Sequence, residues 1–213
     1  MRSTALSYRR AGLALLALAA VLSFWLVLAA PQAQAATVRL DGVRTTLTTD
    51  PATTTLLFSV GIIPLPVAPT PVVPTPNAAR YQFPITGGAV DAATLVGRIN
   101  HSGGLLLAQR QSDDSWKALP LTKFSIRITS QKAWLSAVVG GVGNGARLAI
   151  ADLDLKNADI DRFMSHGRAF VRISNVGVAL NATAIGAINT TFGTNLTAPV
   201  TLGTAKVLAR VAR

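Results

Sequence analysis

The sequence predicts an all-β protein: an antiparallel two-sheet β-sandwich with one or two short helices, preceded by an N-terminal signal helix. Three observations carry that prediction. Thr, Val and Ala dominate and Glu is absent, a composition that favours strands over helices. Phe124-Ser-Ile-Arg-Ile-Thr129 alternates strictly, with Phe124, Ile126 and Ile128 on one face and Ser125, Arg127 and Thr129 on the other. Gly and Pro break the chain into roughly nine or ten short strands, the spacing of a sandwich or barrel.

The opening stretch reads as an export signal. Arg2, Arg9 and Arg10 come first, Ala11 to Ala30 is apolar or small except at Ser23, and Pro31-Gln-Ala33-Gln-Ala35 follows. A basic region, an apolar region and a small-x-small pair at Ala33 and Ala35 predict a signal peptide over 1–35, cleaved after Ala35. The alternative is an uncleaved anchor, since about 20 apolar residues span a bilayer. Residues 36–213 are then a single domain of about 178 residues, enough for a substantial core.

Within that domain, Thr37–Gly42 and Thr45–Thr49 read as strands around a turn, and Thr53 to Val60 as another strand. The Pro-rich loop at 62–78 holds six of the eleven prolines. Proline cannot donate to a sheet ladder, so the expectation is an extended polyproline-II spacer outside the sheet interior. Leu105–Gln109 follows Gly103-Gly104 as a short strand. Ala133–Val139 and Ala146–Leu155 form a hairpin, its tip marked by Gly140, Gly141, Gly143 and Gly145. Phe170–Ser174, Val176–Leu180 and Ala198–Val211 complete the strands.

Two helices are expected. One spans 182–191, with Asn181 as N-cap, Ile185, Ile188 and Phe192 on one face, and Gly193 as left-handed C-terminal cap. The second lies between Lys156 and His166, with Ile160, Phe163 and Met164 as its buried face.

Composition narrows the chemistry. No cysteine is present, so disulfides, thiolate zinc sites and cysteine nucleophiles are excluded. The 20 Lys and Arg face nine acids, all Asp; without Arg2, Arg9 and Arg10 the balance is 17 against nine, a net +8. A basic exported domain seeks anionic cell-envelope polymers or a membrane surface. Nucleic acid is not expected, because Arg39, Arg44, Arg80, Arg98, Arg110, Arg127, Arg147 and Arg172 stand singly, without interleaved aromatics.

No catalytic constellation emerges. His101 and Ser102 are adjacent and point to opposite faces of a strand, and no Gly-x-Ser-x-Gly elbow exists. His166 reads as an exposed residue at a helix end. An exported hydrolase would need Asp152, Asp154 or His101 to meet in a cleft. Asp152, Asp154, Asp159 and Asp161 form an acidic cluster able to offer hard oxygen ligands to calcium, or simply to pair with Lys156 and Arg162.

Gly97-Arg-Ile-Asn-His101-Ser-Gly-Gly-Leu, then Leu121–Ile128, then Ala133-Trp-Leu-Ser-Ala-Val, resembles the HtaA-like family of actinobacterial exported and surface domains. The tail from Val178 to Gly193 resembles the same family, and the likeness runs from about Phe83 to Val207. It implies a two-sheet sandwich with a short helix and, for the family, heme bound during iron acquisition by a tyrosine with a histidine beside it. The matching histidine is His101. The family's tyrosine lies further upstream, whereas residues 36–78 contain neither Tyr nor Trp and Tyr81 is the single tyrosine after residue 35. Without heme, Gly103-Gly104 makes a turn and His101 bonds a backbone carbonyl. The expectation is therefore a non-enzymatic exported binding domain of the envelope without a cofactor, with heme at His101 and Tyr81 as the alternative.

Overall fold

Period-two burial organises the chain. The structure, a computed structural model, describes residues 36–75, 78–141 and 145–213. The predicted signal helix and its Ala33–Ala35 cleavage pair lie outside those residues. Residues 36–213 form one compact unit.

The strands are β1 (Thr37–Thr49), β2 (Ile62–Val67), β3 (Val72–Thr75), β4 (Ala78–Asp91), β5 (Gly97–His101), β6 (Gly104–Arg110), β7 (Trp116–Ile128), β8 (Ala133–Val139), β9 (Arg147–Asp154), β10 (Asp159–Ser165), β11 (Arg168–Leu180) and β12 (Val200–Val211). Helix α1 (Pro51–Ser59) follows β1, and α2 (Ala182–Phe192) precedes β12.

The strand order β7-β5-β4-β1-β12-β11-β9-β8 closes on itself because β8 also pairs with β7. Each neighbouring pair in this ring is antiparallel. Eight strands thus make a closed barrel, and the expected two-sheet sandwich is corrected to it. The all-β class with two short helices holds. The period-two pattern that predicts a sandwich is equally that of a barrel wall, and closure is set by distant pairings such as β1 with β12. Tyr81, Phe83, Ile85, Ile99, Phe124, Ile126 and Ile128 fill the interior, and Phe83 meets Phe124 edge-on at 4.9 Å.

The Pro-rich segment is not a free spacer. β2 pairs with β6, placing Pro64 opposite Leu107 and Pro66 opposite Leu105, and β3 pairs with the start of β4. β2 is an edge strand, where a residue lacking N–H is tolerated. Together β2, β3 and β6 extend one end of the barrel beyond its closed ring.

Thr53 to Val60, expected as a strand, is α1. The run of β-branched threonines favours a strand locally. The start signal overrides it: Asp50 caps the helix by accepting from the Thr53 amide at 3.1 Å, and Pro51 occupies the first turn. Lys156 to His166, expected as a helix, holds β10 in a hairpin with β11. Ile160 and Met164 are exposed at 46% and 68%, so the helical spacing of apolar residues there is coincidental. Phe163 instead stacks on Phe170 at 5.5 Å, with Arg172 over its ring.

Helix α2 matches its expectation. The Asn181 side chain accepts from the Ala184 amide at 3.2 Å, Gly193 is left-handed at φ 68°, and Ile185, Ile188 and Phe192 are buried.

Candidate functional site

Two of the cavities inside the barrel differ in character. The larger, about 110 Å³, lies at the end covered by α1 and α2. Its walls come from Leu57 and Phe58 of α1, Ala187 and Ile188 of α2, Leu107 of β6 and Leu119 of β7. Helix α1 packs on β2 beside it. The sequence gives apolar residues to both helices but too little polar surface to cover this end. Of the ten exposed large hydrophobics among the described residues, Leu56, Phe58, Ile63, Leu65, Val72 and Val73 all belong to α1, β2 and β3. Such a concentration marks a contact or ligand surface rather than scattered surface residues. This cavity was not legible in sequence; the apolar residues between the prolines were its one trace.

The smaller cavity, about 40 Å³, surrounds His101 with Thr45, Phe83, Phe124 and Leu135 among its walls. His101 is 5% exposed. Its Nε2 shares a hydrogen bond with the Thr45 hydroxyl at 2.7 Å, a side-chain partner brought in from β1. Nδ1 has no hydrogen-bond partner. Burial pulls the imidazole pKa down to about 4, opposed only by the Phe124 backbone; the ring is neutral at pH 7. The expected turn at Gly103-Gly104 is present. Gly103 has φ +78°, and a Cβ there would collide with the Thr70 hydroxyl, which accepts from the Gly104 amide at 3.0 Å.

Tyr81 lies in the wall of the end cavity, not of the His101 cavity. Its hydroxyl donates to the Pro64 carbonyl at 2.9 Å, and burial pushes its pKa up. The hydroxyl beside His101 belongs to Thr45, whose aliphatic oxygen is a poor iron ligand. His101 and Tyr81 thus line different cavities, which share Leu47 as a wall.

The four aspartates do not converge. Asp154 accepts from the Lys156 amide at 2.9 Å, Asp159 accepts from the Asn175 side chain, and Asp161 faces Arg172 at 3.4 Å. Asp152 stands opposite Trp134. Among the described residues no three acidic or histidine side chains gather as a metal site. Asp152 and Asp154 are exposed while His101 is interior, so the cleft a hydrolase requires is not formed by them. His166 sits in the β10–β11 turn, its Nδ1 3.0 Å from the Ser165 hydroxyl.

The class these features define is a closed all-β barrel with an apolar, helix-covered end. Among solved structures it resembles the C-terminal domain of HtaA from Corynebacterium glutamicum, with a TM-score of 0.52 and 17% identity over 80% of this chain and 99% of that one. The domain-swapped dimer of a variant of that domain gives 0.48 and 17% over 76% and 91%. Heme binding protein HtaB from the same organism gives 0.49 and 10% over 83% and 96%. The chain has an HtaA-like fold, as the motif around His101 implied. No protein-family model and no curated protein matches the chain.

Proposed function

We propose that this chain is a non-enzymatic, exported binding domain whose ligand is an amphiphile with an apolar tail, seated in the end cavity under α1 and α2. The observation that carries this is the 110 Å³ apolar cavity beside the exposed side chains of Leu56, Phe58, Ile63 and Leu65. A dry cavity of about 150 Å³ is known to take a benzene-sized guest, so the end of an acyl chain fits and the remainder lies along the exposed apolar rim. Burial of roughly 25 cal/mol per Å² of apolar surface supplies the affinity. The export signal read from residues 1–35 supports this reading, since an exported domain meets envelope lipids.

The test is calorimetric titration of dodecanoic acid into the full chain and into Ala187→Leu, which fills the cavity. Saturable binding weakened at least about tenfold, or 1.4 kcal/mol, by the substitution is expected. Equal binding by both proteins, or none, overturns the reading.

Heme is the second reading, favoured by the fold shared with the HtaA domain. Because His101 and Tyr81 are apart, heme in this barrel would be held by apolar contact at the same end. A hemin Soret shift abolished by Ala187→Leu and unchanged in His101→Ala supports that form of it. A shift lost in Tyr81→Phe with folding intact restores tyrosine ligation. No saturable shift removes heme altogether.

A further inference from the structure

The outside of the barrel carries a second site, independent of the end cavity. Strands β5, β7, β8 and β9 lie side by side, so one outward row reads Arg98, Arg127, Trp134 and Asp152. The adjacent row reads Asn100, Ser125, Ser136 and Ala149, and Arg147 stands opposite Val138 beyond it. Between these rows runs a groove of about 290 Å³ lined by the three arginines, Trp134, Asn100 and Ser136 among others.

Arg98, Arg127 and Arg147 are exposed. All nine aspartates of the chain fall among the described residues, yet among those residues the ion pairs within 4.0 Å involve only Arg110, Arg168, Arg172 and Arg210. Asp152, the nearest carboxylate in register, pairs with none of the three. Arg98 and Arg127 are direct cross-strand partners, a placement of like charges that works against folding. Neighbouring groups hold the groove in shape. Arg147 Nη1 donates to the Lys123 carbonyl at 2.8 Å. The Ser125 hydroxyl donates to Asn100 Oδ1 at 3.0 Å, which turns the Asn100 amide N–H groups away as donors.

We propose that this groove binds a phosphate-bearing anionic polymer of the cell envelope. Arg98 and Arg127, side by side, offer more donors than one planar carboxylate accepts, whereas a tetrahedral phosphate presents oxygens to both. Arg147 is three strand spacings from Arg98, roughly 14 Å across the sheet, and a further four residues along it, too far to share one phosphate and placed for a second along a chain. Asn100 and Ser136 between them suit hydroxyl groups of the linking units. Nucleic acid fits less well. The groove's aromatic, Trp134, has Lys132 Nζ at 5.1 Å and Arg127 Cζ at 6.0 Å from its ring centroid, so its face is engaged by cations rather than free to stack a base.

The test is titration of the full chain with linear polyphosphate, inorganic phosphate and a single-stranded oligonucleotide at about 0.15 M salt, where loose surface attraction is screened. Polyphosphate is expected to bind most tightly. Arg98→Gln/Arg127→Gln should weaken it at least about tenfold, while Arg44→Gln/Arg110→Gln, an equal charge change elsewhere, alters it less than about threefold. Should the first double variant fail to fold, Arg147→Gln alone is expected to weaken polyphosphate and leave inorganic phosphate unchanged. Equal losses in groove and control variants, tighter oligonucleotide binding, or no binding of polyphosphate overturns the proposal.

Discussion

The two interior cavities share one barrel and differ in what reaches them. The cavity around His101 holds the titratable group that draws the eye in sequence, yet it is small, walled by strands and satisfied at Nε2 by Thr45. The end cavity holds nothing reactive, yet it is larger and opens among exposed apolar side chains of α1 and β2. Chemistry conspicuous in a motif can serve packing, while binding capacity lies where apolar surface exceeds what the fold can cover.

Substitutions sharpen that contrast. The largest expected effect is on the end cavity wall. Leu119 is 1% exposed, and Leu119→Ala should lower unfolding free energy by about 2–5 kcal/mol, read by denaturant melts, while enlarging the space for an apolar guest. An effect below about 1 kcal/mol would mean the wall collapses and the cavity is not held open by packing.

The next effect is on the His101 cavity and depends on pH. His101 is neutral and buried with its pKa lowered to about 4, against about 6.5 in the unfolded chain. Between those values the unfolded state binds more protons, so stability falls as pH drops from about 6.5 to 4. The full loss is on the order of 3 kcal/mol, at about 1.4 kcal/mol per pH unit. Melts across this range should show the slope in the native chain and a flatter one in His101→Gln. Equal slopes would show that His101 titrates normally and that its cavity is open to water.

Much of the barrel was legible in sequence. The alternation of Phe124, Ile126 and Ile128 places them inward, and Asn181 and Gly193 bound α2 as capping chemistry requires. Closure was not legible, because inward-outward alternation is common to sandwiches and barrels. Helix α1 was hidden by its threonines and β10 by a chance helical spacing of Ile160, Phe163 and Met164. The His101 motif pointed to the fold, but its Thr45 partner lies 56 residues away, a relation that spacing does not disclose. The arginine groove escaped for the same reason: Arg98, Arg127 and Arg147 are single residues in sequence, gathered by strand register alone.

Methyl-resolved NMR of the full chain during addition of dodecanoic acid tests the central claim most directly. Shifts are predicted for Leu57, Leu107, Leu119 and Ile188 around the end cavity, with Ile126 and Leu135 beside His101 unmoved. Shifts confined to Ile126 and Leu135, or no saturable shift at any of these methyls, would contradict a ligand seated under α1 and α2.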